Sequence, residues 1–96
     1  MDRNDNSKGR KVSYTRAVYR ISRDTYFKLG YEDARKHRPY NYDIENKAHA
    51  IHYERGRAFA IWALTAQEKS SRWKNGVLSC AGQERLLRAM YQGAVI

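Results

Sequence analysis

The 96-residue chain has one cysteine, one proline and two phenylalanines, and it has no long apolar run. Because Cys80 stands alone, it cannot form an internal disulfide, so we expect a protein of the reducing cytoplasm with this thiol buried and inert. The polar first residues do not supply the apolar core of a signal peptide, and no run approaches the roughly 20 residues that a membrane-spanning helix needs. We therefore expect no membrane partner.

Acidic residues are also scarce. Ten Asp and Glu stand against nineteen Lys and Arg, which leaves a formal net charge of +9 at pH 7. A field of this sign attracts polyanions. Tyrosine is abundant, with eight residues, and its hydroxyl suits half-buried contact surfaces. The composition predicts a nucleic acid as the leading partner.

The chain divides into two parts by composition. Residues 1–11, "MDRNDNSKGRK", have no apolar residue after the initiator, so they cannot contribute to a core. We predict a flexible basic arm there and a single helical domain over residues 12–96. No internal repeat or long Gly/Ser linker divides the second part.

The first half of the domain is predicted to hold two helices. Residues 12–21 favour a short helix, although their pattern does not exclude a strand. Ser22 or Asp24 is placed to cap a second helix that runs to about Lys36 and is stopped by Pro39. Gly30 inside this helix indicates that another backbone comes close.

The second half shows the strongest helical pattern. A long helix is predicted to begin near Asp43 or Asn46, with Gly56 as its weak point and with a buried stripe that Phe59 widens. The stripe consists of Ile44, Ala48, Ile51, Ala58 and Trp62.

"SSRWKNG" then interrupts the helical pattern, because Asn75 and Gly76 readily adopt positive φ. A last helix capped by Ser79 or Gly82 and ended by Gly93 follows, and its predicted apolar face consists of Leu86, Leu87, Met90 and Tyr91. The whole sequence predicts an all-α fold, a small bundle of three or four helices.

Residues that carry catalysis or bind metals are few and poorly spaced. His49 and His52 lie three apart on a predicted helix, but no Cys or carboxylate pair stands nearby at a ligand spacing. No nucleophile, base and metal set converges, and no glycine-rich phosphate loop is present. We therefore expect no enzyme, no catalytic residue, no bound metal or cofactor, and no small-molecule substrate.

The stretch "RPYNYD" concentrates cations and aromatic rings between two predicted helices. A rigid loop that presents Tyr40 and Tyr42 beside guanidinium groups is typical of surfaces that bind single-stranded RNA. Alternatively, the cations offset the helix dipole and the tyrosines fill the gap between the helices. The predicted nucleic-acid-binding residues are Arg35, Lys36, Arg38, Tyr40, Arg55 and Arg57.

Taken together, "KLGYEDARKHRPYNY" and "AIHYERGRAFA" resemble the ribosome modulation factor family over about residues 24–62. The chain departs from the family pattern at Arg38, where a cysteine is usual, and at Tyr53, where a tryptophan is usual. The resemblance implies binding to ribosomal RNA of the small subunit and modulation of translation. The matching elements are Gly30, Tyr31, Ala34, Pro39, Tyr40, Tyr53, Gly56, Arg57 and Ala60.

An alternative hypothesis is a bacteriophage protein that binds and inhibits a host protein complex such as a nuclease, a polymerase or a defence system. Trp73, Leu87 and Tyr91 would then be exposed anchors, since aromatic residues dominate such contacts. If these residues lie in the core, they cannot contact a partner protein. DNA is a third partner to consider, although no helix-turn-helix spacing or zinc finger supports it.

Overall fold

The computed structural model describes residues 16–95. Residues 16–23 are helical and are called α1 here. The later elements are α2 (Thr25–Arg35), α3 (Lys47–Thr65), strands β1 (Trp73–Lys74) and β2 (Val77–Leu78), and α4 (Cys80–Tyr91). The predicted, mostly helical class is confirmed over these residues, and the small antiparallel hairpin was not predicted. The arm predicted for residues 1–11 lies outside the described residues.

Each later helix begins at a side-chain cap. The Asp24 carboxylate accepts hydrogen bonds from the N–H groups of Tyr26 and Phe27, at 2.8 and 3.1 Å. Asn46 and Ser79 cap α3 and α4 in the same way. A cap supplies acceptors for N–H groups that have no partner inside the helix. The predicted starts of these three helices are therefore confirmed.

The same three helices end in one motif. Two positions beyond each last helical residue the backbone turns left-handed, at His37 (φ 58°), Gln67 (φ 57°) and Gly93 (φ 75°). The N–H of the next residue then bonds back to the fifth carbonyl before it, as from Arg38 to Asp33 at 2.7 Å. This is the Schellman motif, which satisfies carbonyls at the helix end.

α2 ends within one residue of the predicted Lys36, but Pro39 is not the residue that stops it. The helix stops at Arg35, several residues before Pro39, because His37 has already reversed the chain. Pro39 lies exposed in the connection. For Gly93 the predicted role as terminator is confirmed.

The closest packing in the described chain is where α2 crosses α3. A Cβ built on Gly30 would lie 2.0 Å from the carbonyl oxygen of Tyr53, and one on Gly56 would lie 1.9 Å from that of Phe27. Gly30 lies three positions after Phe27, and Gly56 lies three positions after Tyr53. Because neither glycine has a side chain, each leaves room for the carbonyl oxygen of the opposite helix. The close approach predicted from Gly30 is confirmed, whereas Gly56 is a contact site and not a weak point.

The buried face of α3 is not the predicted stripe. Its buried residues are Tyr53, Gly56, Phe59, Ala60 and Ala63. Within the predicted stripe, Ala48 is exposed and Ile51 is 49% exposed, while Ala58 and Trp62 pack at the margin of the core. The helix is apolar on several sides, and the close crossing selects the side that carries Gly and Ala. Of the predicted residues, Phe59 is fully buried.

The hairpin and α4 close the core on its other side. Asn75 and Gly76 form the tight turn at φ 55° and 76°, as their composition predicts. The core draws on every described helix and the hairpin. Its larger buried members are Val18, Phe27, Tyr31, Phe59, Leu78, Leu86 and Val95.

Two predictions for α4 are wrong. Cys80 is exposed at the first position of the helix, and Tyr91 is 74% exposed and does not belong to the apolar face. Ala89 takes the buried place instead, beside Leu86. Among the described helices, none is long and apolar enough to cross a membrane.

Candidate nucleic-acid interface

The connection between α2 and α3, residues 36–46, is called the elbow here. Its path is held by Tyr53, a fully buried side chain of α3. The Tyr53 hydroxyl accepts a hydrogen bond from the Asn41 N–H at 3.1 Å and donates one to the Asp33 carboxylate at 2.6 Å. Asn41 in turn accepts from the Asp43 N–H at 2.9 Å. Hydrogen bonds that involve one side chain from each helix, Tyr53 of α3 and Asp33 of α2, therefore fix the path of the elbow.

Arg38 is held at both its side chain and its backbone. Its Nε lies 3.0 Å from an oxygen of the nearly buried Asp33, and its carbonyl accepts from a guanidinium nitrogen of Arg57 at 3.1 Å. The Arg38 side chain is still half exposed. One edge of this guanidinium is therefore committed to Asp33, while the rest of the group faces solvent.

Arg57 also organises the aromatic rings. Its guanidinium carbon lies 5.6 Å from the ring centre of Tyr40 and 5.9 Å from that of Tyr53, which is within cation–π range. Tyr40 meets Tyr53 edge-to-face with ring centres 5.2 Å apart. Arg57 therefore contacts both rings, but Tyr53 is fully buried and contributes no surface of its own.

The open ring of the elbow is Tyr42, which is 87% exposed. Its centre lies 4.8 Å from that of Tyr40, at an interplanar angle of 43°. Tyr40 itself is half-buried between Tyr42, Tyr53 and Arg57. Tyr40 was among the binding residues predicted from the sequence, but Tyr42 is the more open of the two rings.

Both inner tyrosines keep their protons. Loss of solvent and the neighbouring Glu54 carboxylate raise the pKa of Tyr40. Burial and the hydrogen bond to Asp33 raise the pKa of Tyr53. At neutral pH neither ring adds negative charge to the elbow, so its field is set by the arginines and the few carboxylates around them.

The structure does not bring all six predicted residues together. Arg38, Tyr40 and Arg57 meet at the elbow, Lys36 is its first residue, and Arg35 precedes it as the last residue of α2. Arg55 lines a separate cavity of about 450 Å³ together with Ile51 and Ala94. Positions 55 and 57 diverge because a helix turns 100° at each residue.

The two histidines of α3 contact α2. His49 stacks on Tyr26 with ring centres 4.2 Å apart, and His52 Nε2 lies 3.8 Å from an oxygen of Asp24. Over residues 16–95 no group of three or more His, Cys, Asp or Glu side chains is arranged to hold a metal ion.

The residues named for a protein interface occupy different environments. The Trp73 indole N–H donates to the Ser22 carbonyl at 2.7 Å and its ring packs on Tyr31, so Trp73 is structural. Leu87 packs against the core. Of the three, only Tyr91 is open to solvent. The larger exposed aliphatic side chains lie on α3, at Ile51, Ile61 and Leu64.

Sequence reasoning missed Asp33, the carboxylate that links Tyr53 to Arg38. A signal was present, since this acidic residue sits in a basic segment one helical turn from the elbow, but its partners are up to 20 residues away.

No protein-family model, no curated protein and no solved structure matches the chain. The family resemblance stays a prediction.

Proposed function

We propose that the protein is a non-enzymatic RNA-binding protein whose elbow contacts ribosomal RNA and thereby modulates translation. The observation that carries the proposal is the open Tyr42 ring, which packs on Tyr40 in the same elbow as Arg38, whose backbone and side chain are both held in place. The net charge of +9 adds the long-range attraction that a polyphosphate chain requires.

The elbow suits an unpaired base better than a duplex. Unpaired bases bind by stacking on aromatic rings while nearby cations hold the phosphates. Tyr42 supplies an accessible ring that packs on Tyr40, and Tyr40 is itself in contact with Arg57. A site that is ordered before binding loses less conformational entropy on association.

The direct test replaces Tyr42 and compares it with a matched tyrosine. A stacked base contributes about 1 to 3 kcal/mol, so Tyr42→Ala is expected to weaken binding about 5- to 150-fold. Tyr91→Ala removes an equally open ring at the end of α4 and is expected to leave affinity unchanged. Fluorescence anisotropy with labelled single-stranded RNA, at several salt concentrations, measures both. Equal affinities for the two variants would reject stacking at the elbow.

The ribosomal target comes from the family resemblance and has its own test. Tagged protein is sedimented with cell lysate through a sucrose gradient, and Tyr42→Ala is run in parallel. Comigration with small ribosomal subunits that is reduced in Tyr42→Ala supports the proposal. Protein that stays at the top of the gradient, despite binding RNA in solution, would reject the ribosome and leave RNA binding standing.

A second candidate function is inhibition of a host protein complex by a phage-encoded protein. The observation that favours it is the pair of exposed aliphatic side chains Ile61 and Leu64, which lie one helical turn apart on α3, since exposed apolar side chains that lie close together mark protein contacts. A pull-down after nuclease treatment at high salt tests it. A partner lost on Ile61→Asp with Leu64→Asp, yet retained by Tyr42→Ala, would favour this function over RNA binding.

A further inference from the structure

A basic cleft runs along α2 on the side next to the hairpin. It has a volume of about 370 Å³ and lies between α2 and residues 70–73. Its cations are Lys28, Arg35, Lys36 and Arg72.

The cations on α2 share one face because they are seven and eight residues apart. Lys28, Arg35 and Lys36 therefore form a row on one side of the helix. At 1.5 Å per residue, the row is about 12 Å long. Arg72 faces it from the opposite wall. Among the described residues, no carboxylate lies within ion-pair distance of Lys28, Lys36 or Arg72.

The two walls are joined by hydrogen bonds at the base of the cleft. The Ser71 N–H donates to the buried Tyr31 hydroxyl at 2.9 Å. Arg72 is fixed through its carbonyl, which accepts from the Ser79 N–H at 2.9 Å. The Arg35 guanidinium lies 6.0 Å from the Tyr31 ring centre. The width of the cleft and the backbone position of Arg72 are thus set before any ligand arrives, and the Arg35 guanidinium already lies against Tyr31.

One carboxylate, Glu32, also lines the cleft. It lies one helical turn from Lys28 and from Lys36, so the two lysines offset its charge. Nearby Glu68 is paired with Arg85 and Arg88 and leaves the charge of the cleft unchanged. Four cations against one carboxylate leave a strong excess of positive charge.

We propose that this cleft binds consecutive phosphates of the RNA strand whose base stacks on Tyr42. The inference rests on the proposed function. A row of cations about 12 Å long matches a chain with regularly repeated negative charge better than one isolated anion. Lys36 belongs to both the cleft and the elbow, so a strand leaving Tyr42 can pass directly into the cleft.

The test uses RNA of two lengths. At about 3.4 Å per nucleotide, a strand needs about 4 nucleotides to follow the row of cations. An oligonucleotide of about 4 nucleotides that stacks on Tyr42 therefore cannot fill the cleft, whereas one of about 12 nucleotides can. The probe variant is Lys28→Gln with Arg72→Gln. The matched control is Arg16→Gln with Arg20→Gln, which removes the same charge from exposed positions on α1.

For the long RNA, the cleft variant is expected to reduce the slope of log affinity against log salt by about 1.4, since each lost phosphate contact on a single strand changes it by about 0.7. For the short RNA, the cleft and control variants are expected to bind alike. If the two variants also bind the long RNA alike while Tyr42→Ala still weakens it, the cleft inference is overturned and the proposed function stands.

A second measurement covers the case in which no RNA binds. Inorganic pyrophosphate is titrated while the two indole N–H signals are followed by NMR. Trp73 lines the cleft, and Trp62 bonds to Gln92 outside it. A shift at Trp73 alone, abolished in the cleft variant, would assign the cleft to a free phosphorylated compound. Absence of RNA binding overturns both the proposed function and the RNA-strand inference, whatever the result of the pyrophosphate titration.

Discussion

The glycine at position 56 gives the sharpest prediction about the fold. An alanine methyl there would lie 1.9 Å from the Phe27 carbonyl oxygen and 2.8 Å from the Tyr31 nitrogen. Both are backbone atoms, which cannot rotate away as the end of a side chain can. To restore ordinary contact at 3.4 Å, α2 and α3 must separate by about 1.5 Å.

The magnitude follows from two opposing effects. Overpacking a core costs about 1 to 3 kcal/mol, and a clash between two backbones belongs at the upper end. Alanine stabilises a helix interior by about 1 kcal/mol relative to glycine, which offsets part of that cost. We therefore expect Gly56→Ala to lower the free energy of unfolding by about 2 kcal/mol. For a domain of this size, that change lowers Tm by about 8 to 16 °C.

Urea and thermal unfolding followed by circular dichroism measure the effect. The matched control compares Ile61→Ala with Ile61→Gly, an exposed position in α3 where alanine is expected to be the more stable by about 1 kcal/mol. Gly30→Ala is expected to behave like Gly56→Ala. The double variant is expected to cost less than the sum, because one methyl already separates the helices.

The outcome that contradicts this reasoning is simple. If Gly56→Ala is as stable as the native chain, or more stable, helix propensity alone governs the position and α2 does not approach α3 as described. A loss in Gly56→Ala without a loss in Gly30→Ala would also contradict it, because the two contacts are reciprocal.

Two further predictions concern polar contacts. Tyr53→Phe leaves the Asn41 N–H and one Asp33 oxygen without their partner, so it is expected to lower the free energy of unfolding in urea by about 1 to 3 kcal/mol. The control Tyr42→Phe removes an exposed hydroxyl and is expected to leave that free energy unchanged. Equal stabilities of the two variants would contradict the hydrogen bonds described at the elbow. Hydrogen bonding from Arg88 lowers the pKa of Glu68, so this contact stabilises the fold at neutral pH and is lost as pH falls from the usual glutamate range through the lowered value. The acid-induced fall in the urea midpoint is therefore expected to be smaller in Glu68→Gln than in the native chain or in Glu45→Gln, and identical profiles would refute the assignment.

Features that depend on a few neighbouring residues were predictable from the sequence. Asp24, Asn46 and Ser79 each cap the helix that follows, and Asn75 with Gly76 makes the tight turn. The close backbone contact at Gly30 was also predictable, because a glycine inside a helix costs stability unless its missing side chain is used. Its partner Gly56, 26 residues later, was not recognised.

The face of α3 could not be assigned from its own residues. Apolar side chains occur on several sides of this helix, so their spacing does not distinguish the buried side from the exposed one. Ile51 fitted the predicted stripe and lies half exposed, because the crossing places Gly56 and Ala60 toward α2. The buried face of α3 is the side on which its small residues let another helix come closest.

The candidate site was predictable in composition and only partly in geometry. Arg38, Tyr40 and Arg57 were named from the sequence, and they meet at the elbow. That Tyr42 is open while Tyr40 is half-buried could not be foreseen, since it depends on Tyr53 and Arg57 covering one ring and leaving the other exposed. Arg72, 26 residues beyond the end of the elbow, was brought to the cleft by the hairpin.

The sequence by itself determined where the helices start, the net positive charge, and the segment where rings and cations concentrate, because these depend on composition and on contacts within about one helical turn. Only the tertiary structure decided which face of α3 is buried, which tyrosine is open, and which cations line one cleft. Those outcomes depend on two glycines that let separate helices touch and on hydrogen bonds between residues 20 to 51 positions apart.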